Sequence, residues 1–142
     1  MSNLGCFLSQ NAAKVENVKC VVSKRFKDEK GKPVEWEVRA ISPEADEALK
    51  KECTKRVPVT GKKGMYIPET DYDRYSGKLA ALCTVYPNLK DKELQDSYGV
   101  MGDDALLKQM LSPGEYYNYL AKVQEINGFD VSMEELEEEA KN

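Results

Sequence analysis

The chain has 142 residues, 41% of them hydrophobic and 32% charged, with a net charge of −4. That suits one domain with a packed core and terminal tails, and no apolar run approaches the ~20 residues of a membrane span. Histidine is absent, and Cys6, Cys20, Cys53 and Cys83 share no short metal-ligand spacing, which excludes Ser-His-Asp and Cys-His catalysis and leaves no metal or cofactor motif.

The cysteines suit the reduced, buried thiols of a cytosolic protein. "MSNLGCFLSQNAAK" has no basic start and no sustained apolar core, so it is not a secretory signal. Residues 1–17 are predicted as a flexible N-terminal arm, with Leu4, Phe7 and Leu8 placed to dock a turn of helix.

Residues 18–131 read as a single α+β domain. Its first part, 18–68, is sheet-rich. Val18, Cys20 and Val22 alternate on one side of "VKCVVSKRF", and Val34, Trp36, Val38 and Ala40 on one side of "VEWEVRAI". The glycine-bearing turn "KDEKGKP" between them completes a β-hairpin. Trp36, the single tryptophan, is expected to be buried between sheet and helices. Glu35, Glu37 and Arg39 point the other way. Ser42 as N-cap and Pro43 at the first helical position open a helix with a thin stripe of Ala45, Leu49 and Cys53. "VPVTGKKGMYIP" predicts two short strands around a Gly-Lys-Lys-Gly turn, available to join the first sheet, with Pro58 and Pro68 confining them to edges. That turn is no Walker A loop, which needs GxxxxGK[ST] between strand and helix.

The second part, 69–131, is predicted helical, about five helices counting the chain's remainder. Thr70 with Asp73 suggests a capping box for "DYDRYSGKLAALCTVY", closed by Pro87, with Tyr72, Tyr75, Leu79, Leu82, Cys83 and Tyr86 facing inward. "DKELQDSY" is a shorter helix ending at Gly99. "DDALLKQML" follows with Asp103 as N-cap and Leu106, Leu107, Met110 and Leu111 as core. "SPGEYYNYLAKVQEIN" carries a capping box, Ser112 with Glu115, and ends at Gly128. Tyr116, Tyr119, Leu120, Val123 and Ile126 form its stripe. Tyr116, Tyr117 and Tyr119 cannot all face one core, so at least one is expected on the surface.

"ELQDSYGVMG" sits between two helices. Gly99, Val100, Met101 and Gly102 read as a structural corner: Gly99 supplies a left-handed residue, Val100 and Met101 plug the core, and Asp96 and Tyr98 brace it. Nothing nearby completes an acid/base pair, so catalysis is not expected there. Residues 132–142 form an acidic C-terminal helix or tail, with Ser132 and Glu135 as a further capping box. Met133, Leu136 and Ala140 are too few to bury it strongly.

Charge is segregated. Residues 50–63 carry Lys50, Lys51, Lys55, Arg56, Lys62 and Lys63 against Glu52, net +5, and residues 130–142 carry six acids against Lys141, net −5. The two either meet, within or between copies, or remain separate solvated surfaces. The basic stretch lacks interleaved aromatics apart from Tyr66 just beyond it, and the chain is acidic, so neither nucleic acid nor a membrane is an expected partner.

The segments "RFKDEKGKPVEWEVRAIS", "ECTKR", "LCTVYPNLKDKELQDSYGVMG" and "LLKQMLSPGEYYNYLAKVQEINGF", with the acidic ending, resemble the XkdN-like family of phage proteins, encoded in the tail gene clusters of PBSX-type prophages. The resemblance is collinear over residues 3–140. It implies a non-enzymatic tail assembly chaperone in the host cell cytoplasm. Such a protein binds and solubilises the tape measure protein while tail tube protein polymerises around it, and is absent from the finished tail. The alternative it implies is a structural tail or connector protein retained in the virion. The partners implied are the tape measure protein, the tail tube protein and, through the charge split, further copies of the chain. The surface placed for them is the helix around Tyr116, Tyr117, Tyr119, Leu120, Val123 and Ile126.

Overall fold

The computed structural model describes residues 3–129 together with Glu138 and Ala140. Its architecture is mixed α+β: within residues 3–129, two small antiparallel sheets lie in a framework of five α-helices, most of them C-terminal.

The chain opens with a 3-10 turn, Asn3–Phe7. Leu4, Phe7 and Leu8 remain exposed rather than docking on the core. β1 (Val18–Cys20) pairs antiparallel with β2 (Trp36–Val38), and Cys20 faces Trp36. Both strands are shorter than the alternation predicts. The intervening residues leave the sheet because they are held elsewhere. Asp28 accepts the amides of Lys30 and Lys32 to close the tight turn, and Arg25 donates to the Met110 carbonyl and to Glu115, 2.9 Å away. Phe26 thereby reaches the Trp36 ring at 6.3 Å.

α1 (Pro43–Glu52) starts on Ser42, whose hydroxyl accepts the Ala45 amide. β3 (Thr54–Pro58) and β4 (Tyr66–Thr70) form a hairpin of their own, with Val57 opposite Ile67. They do not join the first sheet. Its third strand is β5 (Thr84–Tyr86), paired with β2, in a stretch the sequence assigns to a helix. That helix, α2 (Tyr72–Cys83), stops at Cys83 because Thr84 and Val85 are β-branched and Pro87 disfavours helical backbone at Tyr86. Its N-cap is Asp71, accepting the Arg74 amide, and not Thr70. Thr70 instead meets Thr54 at 2.7 Å across the base of the hairpin. Tyr72 and Tyr86, expected inside, are exposed.

α3 (Lys92–Ser97) is capped by Asp91, and α4 (Asp103–Met110) follows the corner. Gly102, not Asp103, is the α4 N-cap; the Asp103 carboxylate turns onto the Asp104 amide. α5 (Pro113–Ile126) carries the reciprocal Ser112–Glu115 capping box.

One core cluster joins these elements: Trp36 and Val38 from the sheet, Leu49 and Cys53 from α1 and its end, Leu79, Ala80 and Cys83 from α2, Leu106, Leu107 and Met110 from α4, and Tyr119 and Val123 from α5. Trp36 is 1% exposed, and Tyr119 meets it edge-on at 5.3 Å. Burying rings of this size is among the largest single contributions to such a core.

Candidate functional site

α5 divides its residues between two environments. Tyr119 and Val123 point into the core, 2% and 1% exposed. The Tyr119 hydroxyl is satisfied by Thr84 at 2.6 Å, and burial holds its phenol well above the ordinary range. These two predicted contact residues are therefore structural anchors. Ile126 is half-buried against the core.

The other face of α5, with α2 and the end of α4, walls a groove of about 710 Å³. Pro113, Tyr116, Tyr117, Leu120, Ala121 and Gln124 line it from α5 and its start, Asp73 and Ser76 from α2, and Lys108 and Leu111 from α4 and its end. From Pro113 to Gln124 the α5 wall runs about 16 Å, three helical turns. Tyr117 is 68% exposed and leans edge-on against Tyr116 at 5.7 Å. Tyr116 is half-buried because Gly77 on α2 leaves it room: a Cβ there would stand 2.8 Å from its hydroxyl. Burial and the nearby Asp104 raise its phenol pKa, so the ring stays neutral. The Lys108 ammonium sits 6.0 Å from the centre of that ring. Of the predicted contact residues, the fold thus brings Tyr116, Tyr117 and Leu120 together on one open surface.

The corner is organised differently from its sequence reading. Gly99 and Gly102 both have positive φ, +66° and +103°. Val100 packs against the core, while Met101 is 92% exposed rather than inserted. The brace is Gln95. Its side chain donates to the Leu89 carbonyl at 2.8 Å and accepts the Gly102 amide at 3.1 Å, and its backbone carbonyl accepts the Val100 amide at 3.2 Å. Asp96 contributes its carbonyl, which accepts the Gly99 and Tyr98 amides. No local pattern signals this role for a glutamine.

A second residue missed in the sequence is Asn127. It accepts the Ile41 amide at 2.9 Å and donates to the Val123 carbonyl at 2.8 Å, tying the end of α5 to the end of the first sheet. Among the described residues no group of three His, Cys, Asp or Glu side chains is placed to hold a metal, and no helix is long and apolar enough to cross a membrane. Burial raises the thiol pKa values of Cys20, Cys53 and Cys83. The predicted capping box at Ser132 and Glu135 lies outside the described residues.

Residues 4–141 match the family described as "Phage XkdN-like tail assembly chaperone protein, TAC". The chain is 40% identical to the "Uncharacterized protein YqbN" of Bacillus subtilis (strain 168) over 99% of this chain and 93% of that one. It is 36% identical to the "Phage-like element PBSX protein XkdN" of the same strain, over 99% and 94%. A crystal structure of the protein yqbn superposes with a TM-score of 0.76 at 34% identity, covering 92% of this chain and 99% of that one.

Proposed function

This chain belongs to the phage XkdN-like tail assembly chaperone family, and on that premise we propose that it binds the tape measure protein in the host cytoplasm and keeps it soluble until the tail tube encloses it. The observation that carries this reading is the groove of α2, α4 and α5, where Tyr116, Tyr117 and Leu120 stand on an open surface among the polar side chains of Asp73, Ser76, Lys108 and Gln124. A groove between helices, about three turns long, suits the apolar stripe of an amphipathic helix, and tyrosine contributes a large ring with a polar rim. A long helical partner offers many such stripes, which aggregate unless covered. Lys108 and Asp73 at the groove walls supply charge of both signs to orient the helix,.

The test is co-expression with the tape measure protein of the same phage, followed by affinity capture. The wild-type chain brings that protein into the soluble fraction, and Tyr117→Glu, a change at an exposed position, does not. Loss of an aromatic anchor of ~2 kcal/mol weakens binding on the order of 30-fold. Equal capture by both chains would remove the groove from the mechanism. Finding the protein in purified particles would favour a retained tail component instead.

A further inference from the structure

The β3–β4 hairpin carries a second surface, which approaches the groove at Asp73. Its register places Val57 beside Ile67, and the Val59 amide bonds the Met65 carbonyl at 2.9 Å. Opposed residues share a face, so Val57, Ile67, Val59 and Met65 form one apolar strip. Met65 and Ile67 are 53% and 52% exposed. Lys55, opposite Glu69, lies at one end of this strip, Lys62 and Lys63 at the other. None of the three, nor Arg56, makes an ion pair among the described residues.

We propose that this face docks the acidic C-terminal segment, residues 130–142, of a second copy of the chain. Charge decides between occupants. The hairpin, residues 54–70, is net +3 and the acidic segment net −5, so hairpin-to-hairpin pairing is repulsive and hairpin-to-tail pairing attractive. The apolar pattern agrees. Met133, Leu136 and Ala140 fall at helical spacing, and Glu134, Glu135, Glu137, Glu138 and Glu139 surround them in the sequence. On a helix, residues 133–140 span about 10 Å, against about 13 Å for the strand stretch 55–59. At the tail's described positions, Glu138 and Ala140, the chain is helical and exposed, so their side chains are open to a neighbouring copy. Pairing one copy's tail with another copy's hairpin closes either reciprocally, as a two-fold dimer, or head-to-tail, as rings or open chains.

Charge reversal in full-length chains tests this by sedimentation at varied concentration. The hairpin variant is K62E/K63E and the tail variant E135K/E138K/E139K. The hairpin substitutions lie at an exposed turn, and the native circular dichroism of both variants is checked first. The wild-type chain is expected to form dimers or larger species at 0.1 M salt, with association weakened about tenfold or more at 1 M. Each variant alone is monomeric, because its tail and hairpin carry like charge. Their equimolar mixture associates again, since the hairpin variant's tail, net −5, meets the tail variant's unaltered hairpin, net +3. A wild-type chain that stays monomeric at high concentration overturns the proposal, which includes the case of a tail docking on its own hairpin. So do variants that associate like wild type, and a mixture that fails to recover.

Discussion

At Gly99 the backbone is left-handed, and a Cβ placed there would meet nothing within 4 Å. The demand for glycine is therefore conformational, not a matter of space. Gly99→Val is expected to destabilise the fold by ~1–2 kcal/mol or more through backbone strain alone. Gly99→Asn should lose less, because asparagine tolerates this region. Urea unfolding compares the two, and equal stability of the valine chain would refute the account. Glu115 is a residue of a different kind. The Ser23 hydroxyl, then the Ser112 amide and the Arg25 guanidinium, hold its carboxylate at a pKa of about 2 against an ordinary 4.5. A depressed carboxylate stabilises the fold above its unfolded pKa, and that contribution fades as pH falls through the folded value. The chain should thus lose stability between about pH 4.5 and pH 2,. In Glu115→Gln that part of the pH dependence should vanish, while neutral-pH stability falls through the weakened cap. Thermal melts across this range provide the measurement.

The helices were legible in the sequence and the sheets much less so, for a physical reason. Helix ends are signalled locally: Ser42 with Pro43, Asp91, and Ser112 with Glu115 each satisfy amides within three residues,. Strand partners are distant. β5 joins β2 across more than 40 residues of chain, and no pattern inside "TVY" announces it. The same divide runs through the groove. That α5 is amphipathic is written in its spacing, and so is the need for a surface tyrosine. Which tyrosine it is depends on where α2 and α4 cross, on the room left at Gly77 and on the Thr84 partner of Tyr119. Residues 21–35 show the point at element scale, since Arg25 is what pulls them off the sheet and onto α5. Replacing it by methionine should leave the core intact and loosen that connection. Hydrogen exchange should rise selectively at residues 24–34, with α2 and α5 still protected. Uniform exchange across the chain would mean that the tether supports the whole fold.

Across the whole molecule, charge is separated from the core. Of the acidic C-terminal segment, the described residues, Glu138 and Ala140, are exposed. Deleting residues 132–142 is accordingly expected to shift the melting temperature by no more than ~2 °C in dilute solution, the equivalent of well under 1 kcal/mol for a chain of this size. Function should respond differently. If the segment supports partner handling, by engaging the basic hairpin of a neighbouring copy or by like-charge repulsion between loaded complexes, its contribution is electrostatic. Such a contribution is largest at low salt and fades as the Debye length contracts to ~3 Å at 1 M. The truncated chain should then retain less tape measure protein in solution than the full chain at 0.1 M salt, and the two should converge at 1 M. Apolar contact in the groove is not screened by salt, so the activity left at 1 M reports on Tyr116, Tyr117 and Leu120. Two results would revise this division of labour. A melting temperature lowered by ~5 °C or more would place the segment in the fold. Equal solubilisation by both chains at both salt concentrations would leave the groove as the sole working surface.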